Sequence, residues 1–496
     1  MKKYISAILS ALILSSALLS CSNPEPQNVS GTPSASPESD SSTETETETE
    51  PVDPRMAVSD DLPESDFGGR TFTVIGDGTA NERYIAVEDQ NGEGVNDSVF
   101  ARNLAIDERY NAKVAYLSGG AHRDCAKLVE NCITTGDVES FDLIQFHVVS
   151  NSGNAVKGLY LNWYDVPHVN FDKPWWSDST VDDLTINGRC YLAMGDFALT
   201  TISKTYCMFY DKDSLKNYAE LDNFYDVVKE GRWTLDYLRT VCDTVYNDTN
   251  GNGRPDDGDY FGLASDQQSN YNTYLWACDN PVFRKNSQGG LELSYYSEHL
   301  VDIYNKCYTL INNTTGVITQ YEHHSGSKIF ANNAALTCNA LLEDAITYLA
   351  DYDHEYGIIP YPKYDEAQTK YRSMVDGGHE AMAVGKQAKD LEFIGIMTEV
   401  LCAESYKRVL PAYYDVCLKQ RYASSPEDAE MIDVCVESRI FDFGYVYDNW
   451  KGASFFFEQL LRSAKQQDIT SYYKGKSKAV EKYYNSVIEM FYADEN

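Results

Sequence analysis

Basic residues are scarce in this chain of 496: 41 Lys and Arg stand against 76 Asp and Glu, a net charge of −35. Such a surface repels a phosphate backbone, so nucleic acid is excluded as a partner. Past the first twenty residues no apolar run is long enough to span a bilayer, and no segment repeats at a fixed period. Catalytic motifs are missing as well: HExxH, Walker A and GxSxG sequences do not occur. Gly76-Asp77-Gly78-Thr79-Ala80-Asn81 follows a strand-like run but lacks the third glycine of a dinucleotide-binding turn, and His323-His324 has no metal-ligand company. A glycosidase carboxylate pair is recognised by separation in space, so that one enzyme class stays open.

Cysteine is present in a number that forbids complete pairing. Of 12, Cys21 is set apart below, and 12 − 1 leaves 11. Cys125, Leu128, Val129, Cys132 and Ile133 fall on one helical stripe, where the two thiols cannot bridge each other. Free buried thiols are expected ahead of disulfides. Apolar mass is ample: 43% hydrophobic residues suffice for a large core, and at roughly 100–200 residues per domain the length divides into two or three domains. The 38 Tyr and 6 Trp offer flat faces with polar edges, which recur where proteins grip polar ligands.

Residues 1–20 read as a signal peptide: Lys2 and Lys3 precede an uncharged apolar stretch from Tyr4 to Leu19. Leu18-Leu19-Ser20-Cys21 resembles a bacterial lipobox, which makes Cys21 the acylated first residue of the mature chain; an ordinary secretory signal with a chance Cys is the alternative. Residues 21–65, rich in Ser, Thr, Glu and Pro and including the Thr-Glu alternation of 43–50, bury nothing and repel themselves, as expected of a disordered tether. These features predict a location at the extracytoplasmic face of the cell membrane, lipid-anchored.

In the body, Thr71–Ile75, Lys113–Leu117 and Phe141–Phe146 read as strands, with helices over Ser98–Tyr110 and His122–Thr135. This β-α-β-α-β order implies parallel strands with ligands beyond their carboxyl ends. Gly76-Asp77-Gly78, Gly119-Gly120 and Ser150-Asn151 are the candidate rim. A second alternation follows from Cys207, with helices over Thr234–Tyr246 and Ser297–Ile311 and strands over Tyr260–Ala264 and Tyr356–Pro360. The last 90 or so residues read as mainly helical.

Several segments, in order, resemble extracellular solute-binding lipoproteins of bacterial ABC importers, in the carbohydrate-uptake-like group. They are the lipobox, Asn96-Asp97-Ser98-Val99-Phe100-Ala101-Arg102-Asn103, Lys173-Pro174-Trp175-Trp176, Asn187-Gly188-Arg189-Cys190-Tyr191, Phe209-Tyr210-Asp211-Lys212-Asp213, Arg232-Trp233-Thr234-Leu235, Ile358-Ile359-Pro360-Tyr361-Pro362, Asp376-Gly377-Gly378-His379, and Ala403-Glu404-Ser405-Tyr406-Lys407 with Ala412-Tyr413-Tyr414. The resemblance implies an α/β, two-lobe, periplasmic-binding-protein-like fold (type II) with crossing hinge segments. One lobe would be 66–203 plus 357–405, the other 204–356 plus 406–496. It implies a binding protein rather than an enzyme, a monomer that captures a polar solute such as an oligosaccharide between its lobes and delivers it to the transmembrane subunits of an ABC permease. A secreted glycoside hydrolase and a surface glycan-binding lipoprotein without a permease are the alternatives.

Sugar rings stack their C–H faces on aromatics, which singles out Trp175, Trp176, Trp276 with Tyr271, and Trp450, each of which a core position would explain equally. Carboxylates and amides hold hydroxyls: Asp77, Asn151, Asp196, Asn339, Asp376 and His379 follow strands or sit in glycine-rich turns, though caps and turns account for such residues too. Asp248–Asp259 carries the spacing of a calcium loop: Asp248, Asn250, Asn252, the Arg254 carbonyl, Asp256 and Asp259 at positions 1, 3, 5, 7, 9 and 12, with Gly253 at position 6. A strand-like run follows instead of a second helix, and position 12 is the shorter Asp, so a structural calcium ion or a plain polar turn is expected.

Overall fold

The computed structural model describes residues 53–287, 290–419 and 425–493. The signal peptide, Cys21 and most of the tether segment lie outside these. Arg70–Gly76 (β1) starts the first sheet, its Phe72, Val74, Ile75 and Gly76 buried. The helix Gly94–Tyr110 (α1) begins four residues before the expected Ser98, because the Glu93 carboxylate caps Asn96 N at 3.1 Å. It stops at Asn111, which takes the left-handed φ of 48° that ends helices. Ala112–Ser118 (β2), His122–Thr135 (α2), Leu143–His147 (β3) and Val148–Val156 (α3) follow. In α2 the stripe holds for Cys125, Val129, Cys132 and Ile133, but Leu128 is 38% exposed, one step outside the face that meets the sheet.

Tyr206–Asp211 (β4) opens a second sheet with every residue buried. The helix Leu235–Val245 (α4), capped by Thr234, and the strand Phe261–Asp266 (β5) come next. Ser269–Ala277 (α5), Glu298–Asn313 (α6), Val317–Gln320 (β6), Ser325–Ala331 (α7), Ala335–Leu341 (β7) and Tyr356–Ile359 (β8) complete this half. Glu380–Ala383 (β9) returns to the first sheet, and Leu391–Glu404 (α8) packs beneath it with Trp175 and Trp176. Ile469–Tyr492 (α9) is the longest of the closing helices.

The strand orders are β9-β3-β1-β2 and β8-β4-β7-β5-β6. In the first sheet β1 runs parallel to β2 and β3, while β9 is antiparallel to β3. No strand is shared, and three chain crossings lie side by side between the halves. Thr205 bridges Val375, Ser373–Met374 pairs with Arg439–Ile440, and Arg439 Nη1 donates to Thr201 O at 3.1 Å. Tyr356–Ile359 pairs with β4, so the return crossing starts after Ile359 rather than at 357. Cys125, Cys132, Cys190, Cys242, Cys278, Cys307, Cys338, Cys402 and Cys435 are free and buried, the state expected of thiols in the core.

Candidate functional site

Two glycine turns shape the carboxyl ends of β1 and β2: Gly78 N donates to Gly120 O at 2.7 Å and Gly119 N to Gly76 O at 2.8 Å. Gly78 and Gly120 have φ of 64° and 81°, a region that glycine enters at little cost. The turn folds Asp77 inward, where Oδ1 accepts His147 N at 3.1 Å; burial raises its carboxyl, against that hydrogen bond and the nearby His122 and Lys204. His122 and His147 stack beside it, ring centres 4.4 Å apart at 20°. Burial lowers both imidazoles, His147 to about 3 with the neighbouring His122 second, so both are neutral at neutral pH. His122 Nδ1 meets Ser150 Oγ at 2.5 Å, whereas His147 Nδ1 is buried without a partner.

Trp450 leans over this pair, 5.7 Å from His122 and 5.9 Å from His147, with the Arg123 guanidinium 4.8 Å over its ring. It is 42% exposed, while the other five tryptophans are almost fully buried. Asn449 and Trp450 both hold left-handed φ, 43° and 56°. For so bulky a residue this costs on the order of 1 kcal/mol and points to a site rather than to a loop chosen for stability.

From the crossings, Asp376 faces the same region. Tyr206 Oη donates to its Oδ2 at 2.7 Å and Gly378 N to its Oδ1 at 2.8 Å. Burial would raise this carboxyl, but His323, Lys204 and these hydrogen bonds bring it to about 2. His379 bonds Asp376 O through Nδ1 at 2.6 Å and leaves Nε2 buried without a partner; burial lowers it to about 4. His147 feels Asp376 and His379, and Asp77 feels Lys204, so rim and crossing share one electrostatic neighbourhood. From the second sheet, Asp266 at the end of β5 feels His323, as Asp376 does. The structure therefore gathers Asp77, Asp376, His379 and Trp450 from among the expected residues. It adds His122, His147, Arg123, Lys204 and Tyr206, which sequence reasoning missed; only the position of His122 just after Gly119-Gly120 signalled any of them.

Other expected residues lie elsewhere. Trp175 and Trp176 bury their rings and donate to Glu399 Oε1 and Oε2, each at 2.9 Å, so they belong to the core. Asn151 is fully buried, its Nδ2 donating to Ala381 O at 2.8 Å and its Oδ1 accepting from Tyr160 Oη at 2.5 Å. Asp196 is raised by burial to about 7, against Arg439 and Arg55. Tyr271 and Trp276 are buried on α5, Trp276 edge-on to Tyr445 at 5.0 Å. Asn339 on β7 accepts from Tyr274 at 3.0 Å and keeps Nδ2 unpartnered.

In the 248–259 loop, Asp248 accepts the amides of Gly251 at 2.7 Å, Asn252 at 3.2 Å and Gly253 at 2.7 Å. Asn250 and Asn252 point their Nδ2 atoms at Asp256, and Asp259 is held by Thr249 N and Tyr246 Oη. Among the described residues no three His, Cys, Asp or Glu side chains gather closely enough to hold a metal ion.

No family model matches the chain, and no curated protein matches it. Solved structures do. An ABC substrate-binding protein from Listeria monocytogenes in complex with cycloalternan superposes with a TM-score of 0.53 at 11% identity, over 86% of this chain and 100% of that one. The maltose/maltodextrin-binding domain MalE from Bdellovibrio bacteriovorus bound to maltotriose gives 0.52 at 11% identity, over 85% and 100%. M. tuberculosis UspC gives 0.54 at 13% identity, over 83% and 99%. At such identities the likeness is one of fold, and with the two sheets and their side-by-side crossings it settles the architecture: this chain has the α/β, two-lobe, periplasmic-binding-protein-like fold (type II) of ABC substrate-binding proteins.

Proposed function

We propose that the protein captures an oligosaccharide between its lobes and delivers it to an ABC permease. The observation that carries this reading is Trp450: a half-exposed indole held in a left-handed backbone beside two neutral imidazoles, with Asp77 and Asp376 nearby as hydroxyl acceptors. An aromatic face for C–H groups beside carboxylates for hydroxyls is the chemistry that a neutral sugar requires. The cycloalternan and maltotriose held by structures of this fold support the same class. Calorimetry with maltotriose and longer maltodextrins tests it. Trp450→Ala should weaken binding by about 1–3 kcal/mol, from the ring area removed, with under about 1 kcal/mol lost in stability. Equal affinity in variant and wild type would remove Trp450 from the site, and cleavage of the glycan by the purified protein would favour the hydrolase reading.

The anchor is part of the proposal and rests on Leu18-Leu19-Ser20-Cys21, outside the described residues. Cys21→Ala should move the protein from the membrane fraction into the medium; retention on the membrane would refute acylation at that thiol. For the 248–259 loop we propose a structural calcium ion, supported by the oxygen spacing and by the backbone wound around Asp248. Calcium should raise the melting temperature, chelator should reverse this, and Asp248→Ala should abolish the response. Identical melting with and without chelator would make the loop a polar turn.

A further inference from the structure

Trp450 is the second of two consecutive left-handed residues, and its turn closes through Lys451 N, which donates to Asp448 O at 2.8 Å. Positive φ at both central residues matches a type I′ turn, where glycine and asparagine are usual and a tryptophan is not. Local preference therefore does not hold this backbone. The contacts that do hold it come from α9. Tyr484, 36 residues beyond Asp448, is buried with its hydroxyl inside the loop. Its Oη accepts Ala453 N at 3.2 Å and lies 2.9 Å from Gly444 O and 3.2 Å from Asp448 Oδ2, one of which takes its proton.

Asp448 is fully buried, and its Oδ2 also accepts Ser454 N at 3.0 Å, so one carboxylate ties the start of the loop to its end. Ser454 Oγ reaches the same Gly444 O at 3.2 Å, and Tyr483 Oη donates to Tyr447 O at 2.6 Å. A Cβ at Gly452 would collide with Tyr484 Oη and Asp448 Oδ2, which shows how closely the chain is drawn against this pair. Both ends of the turn are thus fixed, and only its middle, with Trp450, reaches solvent. From this arrangement we propose that Tyr484 is a positioning residue for the solute site: through Asp448 and Ala453 it clasps the 448–454 turn and keeps the Trp450 indole set beside His122 and His147. A solute then meets a stacking face already in place, with no loop to order on binding. The inference rests on the reading of Trp450 as that face.

The test compares the full-length protein with Tyr484→Phe, which keeps the ring packed edge-on to Phe283 at 4.9 Å and removes only the hydroxyl. Tryptophan-labelled ¹H–¹⁵N spectra without solute read the turn directly, the Trp450 indole peak being assigned by its loss in Trp450→Ala. The proposal expects this peak to shift or broaden in Tyr484→Phe, and its nuclear Overhauser contacts with the His122 and His147 rings to weaken. In calorimetry with maltotriose the substitution should weaken binding about fivefold or more, because a ring in place for only part of the time lowers apparent affinity by that fraction. In a Trp450→Ala background the same substitution should change affinity by no more than about twofold, since the residue it positions is gone. A Trp450 peak and ring contacts identical in wild type and Tyr484→Phe would overturn the proposal and leave Tyr484 a core residue, whatever the melting temperature does. An equal loss of affinity with and without Trp450 would overturn it too. The solute-free spectra decide the positioning role by themselves, so a failure of maltotriose to bind wild type would count against the oligosaccharide reading alone.

Discussion

The melting temperature is expected to fall as pH is raised from about 6.5 to about 8.5, and Glu380→Gln is expected to remove most of that slope. Glu380 starts β9, fully buried; burial pushes its carboxyl up to about 8, with Asp77 adding to the rise and Gln145 Nε2 at 3.1 Å and Thr200 Oγ1 at 3.2 Å opposing it. The folded chain therefore holds a proton that the unfolded chain gives up near 4.5. Stability from that proton is complete below about 4.5 and is lost as pH rises through about 8. At about 1.4 kcal/mol per pKa unit, Glu380 alone accounts for several kcal/mol. Glu399 and Glu458, each raised mainly by burial to about 7, act in the same sense. The lowered imidazoles of His122, His147 and His379 act in the opposite sense, but only below about 6.5, where the unfolded chain protonates them. Above that pH His324, where the lowering by burial is outweighed by Asp344, and His354, raised by its hydrogen bond to Asp211, give up their protons too and add to the fall. A flat melting profile from 6.5 to 8.5 would mean that Glu380 is solvated in the folded protein.

The second large effect lies at Glu399. Its two oxygens accept the indole N–H groups of Trp175 and Trp176, and Asn170 N adds a third bond at 3.2 Å. Glu399→Leu would leave two buried indoles without an acceptor, at about 1–3 kcal/mol for each, so a loss of about 2–6 kcal/mol is expected in urea unfolding. Glu399→Gln keeps an acceptor oxygen and should lose much less. The contrast with Trp450→Ala is the informative part: a truncation at an exposed ring should disturb binding, while a change at the buried acid should disturb folding without touching the site. A Glu399→Leu protein within about 1 kcal/mol of wild type would show that water replaces the carboxylate beneath the two indoles.

Much of the fold is local in origin and legible from the chain. The β-branched run at 71–75, the Thr234 and Ser297 caps, and the spacing of Cys125, Val129, Cys132 and Ile133 each specify an element through contacts within a few residues, and each element is present. The first helix was read short because its cap is Glu93, a residue with no strong preference for that position. Leu128 shows the limit of periodicity, which locates a stripe to within one residue but not the edge of the surface that covers it.

The site was legible only in part. Asp77 and Asp376-Gly377-Gly378-His379 could be found because ligands gather at strand ends and glycine turns, a rule of topology. Which of six tryptophans meets solvent could not be found, because burial depends on partners far away in sequence. Trp176 is covered by Glu399, 223 residues on, and Trp276 by Tyr445. Nor could the stacked pair be found: His122 and His147 lie on different elements, and only the packing of α2 beside β3 brings their rings to 4.4 Å. By itself the sequence determined the alternation of strands and helices, the odd thiols and the acidic charge, since these depend on residue type and local spacing. The tertiary structure alone decided which aromatic faces are free, which carboxylates keep their protons and where donors lack acceptors, because each of these depends on the solvent excluded by distant chain.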